Sequence, residues 1–169
     1  MPESTRKPRE EDAAAYRCAL GQFPTGVCIV SSPGCVEHPA PFAITVSSFV
    51  SVSLEPRLIS WCIQHGSSSY SLWMASQNFS VSVLAADQAA LCEHYARKGR
   101  HAIADDDRFQ TTLAGNPAVR DACATFDARN VATHEAGDHT IIVAEVVDFD
   151  AAPDRPALIY HQGVTRAST

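Results

Sequence analysis

The hydrophobic and polar positions of this chain alternate in short runs separated by Gly, Pro and Ser, a pattern typical of β-strands. Seven runs fit it, and in chain order they are "VCIVSS" (27–32), "APFAITVSSFVSVSLEP" (40–56), "RLISWCIQ" (57–64), "NFSVSVLA" (78–85), "CATFDARNVA" (123–132), "HTIIVAEVVDFD" (139–150) and "ALIYHQG" (157–163). We expect the second and longest run to form one strand with a bend. The chain is therefore predicted to be rich in strands.

Three short helices are predicted, one before the first strand and two between later strands. The first spans Glu10 to Leu20, because acidic residues suit its N-terminal end and Gly21 suits its C-terminal stop. The second opens on a serine cap within "HGSSSYSLWMAS" (65–76), and the third runs from a capping Asp87 to Gly99. The polar stretch 100–119 is predicted to be a loop.

The order of the predicted elements favours an antiparallel architecture. Few connections are long enough to be helical crossovers, so a parallel doubly wound sheet is disfavoured. We predict a mainly β fold, an antiparallel barrel with peripheral helices. No repeat or linker divides the chain, so residues 10–165 are predicted to form a single domain behind a disordered tail of residues 1–9.

Composition and charge exclude several classes of partner. The 169 residues are 46% apolar and 19% charged, which suits an ordinary globular domain with a real core. The net charge of -6 disfavours nucleic acids and acidic membranes, since both reward clustered Lys and Arg. No apolar run approaches the roughly twenty residues that span a bilayer. The N-terminus lacks the apolar core of a secretory signal, and six cysteines without a CxxC pair indicate reduced thiols in a cytoplasmic protein.

Common catalytic motifs are missing from the sequence. It has no GxGxxG after the first strand, no GxxxxGK[ST] and no GxSxG, so a Rossmann site, a P-loop and a nucleophile elbow are disfavoured. The segment "HEAGDH" (134–139) superficially resembles a zinc-binding helix. Its histidines are five positions apart and would not share a helix face, so no metal site is predicted.

The remaining signal is a concentration of small hydroxyl side chains. Unbroken strand geometry would place Thr45, Ser47, Ser51 and Ser53 on one face. The serines at 67–69 precede a predicted helix whose first amides could hold a phosphate. A flat heterocycle could be bound there by main-chain groups and hydroxyls. The ordinary alternative is a half-exposed strand followed by a serine N-cap, and composition alone favours that alternative.

Five segments, taken in order, resemble the flavin reductase-like family of small NAD(P)H:flavin oxidoreductases. The segments are "GQFPTGVCIVSS", "PFAITVSSFVSVSLEPRLISWCI", "SSSYSLWMASQNFSVSVLAADQAALCEHYA", "GDHTIIVAEVVDF" and "PALIYHQG". The resemblance covers about residues 13–163, and the order and spacing of five motifs make it specific. It implies a Greek-key split barrel of the FMN-binding type, which forms a homodimer and binds FMN or FAD near the dimer interface.

The resemblance also implies a set of site residues. The segment Phe42–Ser48 would lie along the isoalloxazine ring, and Cys62–Ser69 would hold the ribityl chain and the phosphate. His139, in the "GDH" motif, is the catalytic candidate because it would lie beside the nicotinamide. The implied cofactor-binding residues are Pro24, Thr25, Gly26, Phe42, Ala43, Ile44, Thr45, Ser47, Ser48, Cys62, Ile63, Gln64, Ser67, Ser68, Ser69, Tyr95 and Ala96.

The function implied by the resemblance is hydride transfer from NADH or NADPH to FMN or FAD. The cofactors carry that chemistry, and backbone donors would stabilise the negative charge on the reduced ring, which accounts for the absence of a catalytic triad. Reduced flavin would then pass to a partner monooxygenase. Two alternatives stay open, a flavin-bound split-barrel enzyme that acts on a secondary metabolite and a non-catalytic flavin or haem carrier or interaction subunit.

Overall fold

The computed structural model describes residues 10–103 and 106–168. Its helices are α1 (Glu10–Leu20), α2 (Tyr70–Ala75) and α3 (Ala89–Ala96), with a 3₁₀ turn at Ala86–Gln88 just before α3. The bounds of α1 agree with the prediction. The tail of residues 1–9, predicted to be disordered, lies outside the described residues. No helix within the described ranges is long and apolar enough to cross a membrane.

The described residues form twelve strands, against seven predicted from the sequence. In chain order the strands are β1 (Thr25–Gly26), β2 (Cys28–Ser32), β3 (Phe42–Val46), β4 (Val50–Leu54), β5 (Arg57–Gln64), β6 (Asn78–Val83), β7 (Phe109–Thr111), β8 (Pro117–Val119), β9 (Ala124–Ala136), β10 (His139–Ala151), β11 (Leu158–His161) and β12 (Val164–Ala167). The extra strands are mostly short: β1 lies in a predicted turn, β7 and β8 in the predicted loop, and β12 beyond the last predicted strand.

One seven-stranded sheet dominates the structure, in the order β3-β2-β6-β9-β10-β5-β4. All its pairings are antiparallel. A three-stranded sheet, β1-β11-β12, and the β7–β8 hairpin lie beside it. The predicted antiparallel architecture is therefore confirmed.

The hydroxyl-rich run 40–56 is not one bent strand. It divides into β3 and β4, which form opposite edges of the seven-stranded sheet. The chain leaves β3 after Val46 and joins the sheet again at Val50, where β4 pairs with β5. The expectation that Ser51 and Ser53 share a face with Thr45 is wrong, because three unpaired residues interrupt the period of two on which it depended.

The third helix differs from its prediction at both ends. Asp87 lies inside the 3₁₀ turn, and Gln88 occupies the N-cap position of α3. The Gln88 side chain accepts a hydrogen bond from the Ala85 N–H at 2.9 Å. The helix ends at Ala96, three residues before Gly99. Ser69 does precede α2 as predicted, but it makes no side-chain capping bond.

Two groups of buried side chains hold these layers together. The first lies inside the curved sheet, where Trp73 meets Phe42 and Trp61 edge-on with ring centroids 4.7 and 5.0 Å apart. The second lies between the sheet and α3 and includes Leu91 and Tyr95. Each large side chain buried in this way contributes about 1.5–3 kcal/mol of transfer free energy. Residues of β3 belong to both groups, so packing on its two faces holds this edge strand in place.

Candidate active site

A cleft of about 430 Å³ lies between β3 and the last residues of β5. Four strands lie between these two in the pairing order of the sheet, so the sheet must curl to bring them together. Fourteen of the predicted site residues line this cleft: Ala43, Ile44, Thr45, Ser47, Ser48, Cys62, Ile63, Gln64, Ser67, Ser68, Ser69, Tyr95, Ala96 and His139. The fold thus gathers residues from four separate segments into one concave surface.

Four predicted residues do not line the cleft. Phe42 is fully buried, and its side chain packs on Trp73 in the core, because alternation along β3 turns it inward. Pro24, Thr25 and Gly26 precede β2, and the strand that Thr25 and Gly26 form pairs with β11. Their contact with a ligand in this cleft is therefore not supported by the geometry of the chain.

The sequence prediction missed a segment that follows α3. Arg97, Lys98, Gly99 and His101 also line the cleft, together with Val46 and Gly66. After α3 ends, the chain runs along the outer edge of β3, where the Ala43 N–H donates to the His101 carbonyl at 2.7 Å. The sequence pattern predicts that the segment 97–99, "RKG", forms the end of a helix. Its cluster of cations was the signal that could have identified it.

The outer edge of β3 presents main-chain groups to the cleft. The Ala43 N–H points away from β2, since it bonds to His101, and alternate residues of a strand aim their amides the same way. The Thr45 N–H therefore faces the cleft as well. The segment at 101–103 pairs with this edge only as far as Ala43, and within the described residues no strand pairs with it at Thr45, so that amide is available to a ligand.

Two hydroxyl side chains of this region are used to hold the walls. Thr45 Oγ1 donates to the Cys92 carbonyl of α3 at 2.8 Å, which joins the helix to the strand. Ser48 Oγ accepts the Cys62 N–H at 2.9 Å and lies 3.4 Å from the Cys62 carbonyl. Because β4 stops pairing with β5 at Ser60, the Ser48 side chain takes the place of a strand at Cys62.

The serines at 67–69 form a compact loop at one end of the cleft. Ser67 Oγ lies 3.2 Å from Ser69 Oγ and accepts the Ser69 N–H at 3.3 Å. Ser68 Oγ accepts the Gly99 N–H at 3.1 Å, which ties this loop to the cationic segment. The loop and the segment after α3 thus form one continuous wall.

Positive charge is concentrated on that wall in a chain of net charge -6. Arg97 and Lys98 both line the cleft. The arginine ion pairs found among the described residues involve Arg108, Arg129 and Arg155. A cationic wall of hydroxyls and amides is suited to a phosphate group.

Tyr95 closes the wall on the side of α3. Its side chain is almost fully buried, and its ring packs edge-on against Phe109 with the ring centroids 5.6 Å apart. The pKa of the Tyr95 phenol is raised to about 12, mainly by burial and to a smaller extent by Asp106, against the opposing effect of Arg108. The phenol is therefore neutral over the whole physiological range.

His139 reaches the cleft from the β9–β10 hairpin. Its Nδ1 lies 2.7 Å from Asp138 Oδ1, and its imidazole is about half exposed. The hydrogen bond from His139 is the main reason that the pKa of Asp138 lies below its usual value. The hairpin turn consists of Gly137 and Asp138, and Gly137 has a φ of 66°, a conformation that glycine adopts without strain.

Comparison with known proteins identifies relatives along most of the chain. The family model described as "Flavin reductase like domain" matches residues 20–169. The FMN reductase (NADH) SmoA of Agrobacterium fabrum is 39% identical over 140 residues, which are 83% of this chain and 78% of that protein.

Solved structures agree with this match. The flavin reductase component BorF of a bacterial two-component tryptophan halogenase superposes with a TM-score of 0.86 at 33% identity, over 93% of this chain and 98% of its own. The Streptomyces globisporus NADH:FAD oxidoreductase SgcE6, solved with NAD and FAD fragments, gives a TM-score of 0.81 at 30% identity, over 96% of each chain. These likenesses confirm the split-barrel fold expected from the sequence.

Proposed function

Because this chain belongs to the flavin reductase-like family, we propose that it is an NAD(P)H:flavin oxidoreductase that supplies reduced flavin to a partner monooxygenase. The cofactors supply the chemistry, which is transfer of a hydride from nicotinamide C4 to flavin N5 of FMN or FAD. The chain's own residues bind the two reactants, orient them and stabilise charge.

The observation that carries this proposal is the cleft between β3 and β5. It is lined by main-chain groups and small hydroxyls, and no pair of carboxylates or nucleophile and base is needed for hydride transfer. The Thr45 N–H on the free edge of β3 is the type of donor that stabilises negative charge developing on a reduced ring. A flat ring lying along this edge would hydrogen-bond to it as a neighbouring strand does.

The cationic wall supports binding of a flavin phosphate. Arg97 and Lys98 supply charge, and the serine loop 67–69 supplies hydroxyls at the same end of the cleft. Phosphate would thus lie beyond the ring, near α3. Direct flavin contacts by the other thirteen predicted cleft residues, and contact of His139 with the nicotinamide, are parts of the same proposal.

The proposal is tested by mixing the purified protein with NADH or NADPH and with FMN or FAD, and following the nicotinamide absorbance band. We expect oxidation that depends on both the protein and a flavin. If no pair of nucleotide and flavin is turned over, the proposal fails. A spectrum of the purified protein before NADH is added separates a diffusible flavin substrate from a tightly held one.

We also propose that the protein is a homodimer. Val50, Val52 and Leu54 of β4 are exposed, as are Val147 and Phe149 of β10. Leu54 pairs with Arg57, whose guanidinium lies 5.6 Å from the centroid of the Phe149 ring, so Leu54, Arg57 and Phe149 lie together on one face of the sheet. A second copy of the chain is the occupant that the family resemblance implies for this face. A cytoplasmic location fits the reduced cysteines and belongs to the same proposal.

A further inference from the structure

The His139 imidazole is held by a carboxylate that the hairpin turn places beside it. Asp138 occupies the second position of the two-residue turn between β9 and β10, and its Oδ1 lies 2.7 Å from His139 Nδ1. The two residues are neighbours in sequence, so this contact requires a specific backbone geometry. The positive φ of Gly137 supplies part of that geometry.

The start of β10 is fixed independently by a second set of contacts. Thr140, which is buried, shares hydrogen bonds with His65 Nε2 at 3.1 Å and with the Tyr70 hydroxyl at 2.9 Å. The backbone N–H of His65 donates to the backbone carbonyl of Asp138 at 2.9 Å. The backbone on both sides of His139 is therefore anchored, and the remaining freedom of its side chain is rotation and choice of tautomer.

The carboxylate of Asp138 removes that freedom. An ionised carboxylate only accepts hydrogen bonds, so the proton of a neutral His139 must lie on Nδ1. The lowered pKa of Asp138 keeps the carboxylate ionised at any pH near neutral. Nε2 then carries the lone pair, and it can accept a hydrogen bond from an N–H group in the cleft.

We propose that Asp138 is a positioning residue that fixes the tautomer of His139, so that Nε2 accepts a hydrogen bond from the primary amide of a bound nicotinamide nucleotide. This inference rests on the reductase function proposed above. Asp138 would contribute to nucleotide binding through His139, without contacting the nucleotide itself. The matching donor is an amide N–H, which the carboxamide group of a nicotinamide carries.

The other charged groups at this hairpin do not compete for His139. Glu135 Oε2 lies 3.3 Å from His65 Nε2, so Glu135 of β9 contacts the residue that follows β5 on the other side of β10. His65 in turn contributes only a minor electrostatic effect to the lowered pKa of Asp138. Glu135 is accordingly a matched control, being an exposed carboxylate in the same hairpin that pairs with a different histidine.

The first test compares Asp138→Asn, Asp138→Glu and Glu135→Gln in steady-state assays from pH 6 to 9. We expect Asp138→Asn to raise KM for NADH about tenfold, with kcat and flavin affinity nearly unchanged, because the lost bond acts on nucleotide binding. Asp138→Glu should recover part of the loss, and Glu135→Gln should behave as wild type. Equal effects of Asp138→Asn and Glu135→Gln, or an unchanged KM in Asp138→Asn, would overturn the proposal.

The second test reads the tautomer directly by ¹⁵N NMR of the histidine ring nitrogens, and it does not depend on turnover. We expect the Nδ1–H form of His139 in the wild type and an increased Nε2–H fraction in Asp138→Asn. A wild type that populates the Nε2–H form would contradict the proposal even in an active enzyme. If the wild type oxidises no NADH but shows the Nδ1–H form, the reductase function fails while the tautomer assignment stands.

Discussion

Ser48 and Cys62 are joined by a side chain where two strands would otherwise be joined by their backbones. The Ser48 hydroxyl accepts the Cys62 N–H at 2.9 Å and lies 3.4 Å from the Cys62 carbonyl. The bond joins the segment that follows β3 to β5, and both residues line the cleft. It therefore couples the spacing of the cleft walls to a single hydroxyl group.

Replacing Ser48 by Ala should widen the cleft and weaken flavin binding. The change leaves the Cys62 N–H without its partner, so we expect the free energy of unfolding to fall by about 1–3 kcal/mol. Flavin affinity, measured by quenching of flavin fluorescence, should fall about tenfold. Ser51→Ala on β4 is the control, since Ser51 is exposed and does not line the cleft. Equal losses in both variants would contradict this assignment.

Replacing Lys98 by Ala should weaken binding of phosphorylated flavins only. A charge-assisted bond to phosphate contributes about 1.5–3 kcal/mol, which corresponds to roughly a tenfold or larger change in FMN affinity. Riboflavin lacks the phosphate, and its affinity should not change. Arg100→Ala is a matched control because Arg100 does not line the cleft. A parallel loss of riboflavin and FMN affinity would place the phosphate elsewhere.

Alkaline pH should destabilise the protein through Cys28. Burial raises the pKa of this thiol from 9.0 to about 12 in the folded protein. Between these values the unfolded chain loses the proton first, so the free energy of unfolding falls as pH rises, by up to about 1.4 kcal/mol per pH unit.

Urea unfolding of the wild type and of Cys28→Ala between pH 8 and 10.5 measures this contribution as a difference in slope. Cys28→Ala should be less stable at pH 8 but less sensitive to rising pH. Cys18→Ala serves as the control, because Cys18 is exposed and its removal should leave the slope unchanged. Identical slopes in wild type and Cys28→Ala would show that the thiol does not contribute.

A charge on the apolar face of β4 should separate the homodimer. Leu54 is 88% exposed in the single chain, and we expect Leu54→Asp to sediment as a monomer because the cost of desolvating a carboxylate in an apolar interface exceeds its attraction to the neighbouring Arg57. Leu113→Asp is the control, since Leu113 is equally exposed but lies between β7 and β8. A wild-type monomer, or dissociation by both changes, would contradict the proposed interface.

The sequence predicted the antiparallel fold because its signals were local. Alternation of apolar residues, the acidic start of α1 and the serine before α2 each depend on a few neighbouring residues. The cleft depends instead on curvature, which brings β3 and β5 together across the sheet. Periodicity does not contain that information, and the ordered motifs of the family supplied it.

The errors in the predicted site follow from the same limit. Thr45 and Ser51 were placed on one face because the pattern continues unbroken through the three residues where the backbone leaves the sheet. Phe42 was included in the site as part of a segment, although strand alternation turns it into the core. Lys98 was missed because a helix that ends at Ala96 rather than Gly99 changes the environment of every residue after it.

The incomplete closure at Ser48 links occupancy of the cleft to the stability of the whole barrel. A bound flavin would contribute contacts along an edge that the chain itself leaves open, in effect as a replaceable extra strand. The melting temperature should therefore rise with flavin concentration and keep rising above Kd, because binding to the folded state stabilises it by RT ln(1 + [flavin]/Kd). Transfer of flavin to an oxygenase would return the barrel to its looser form, ready for the next molecule.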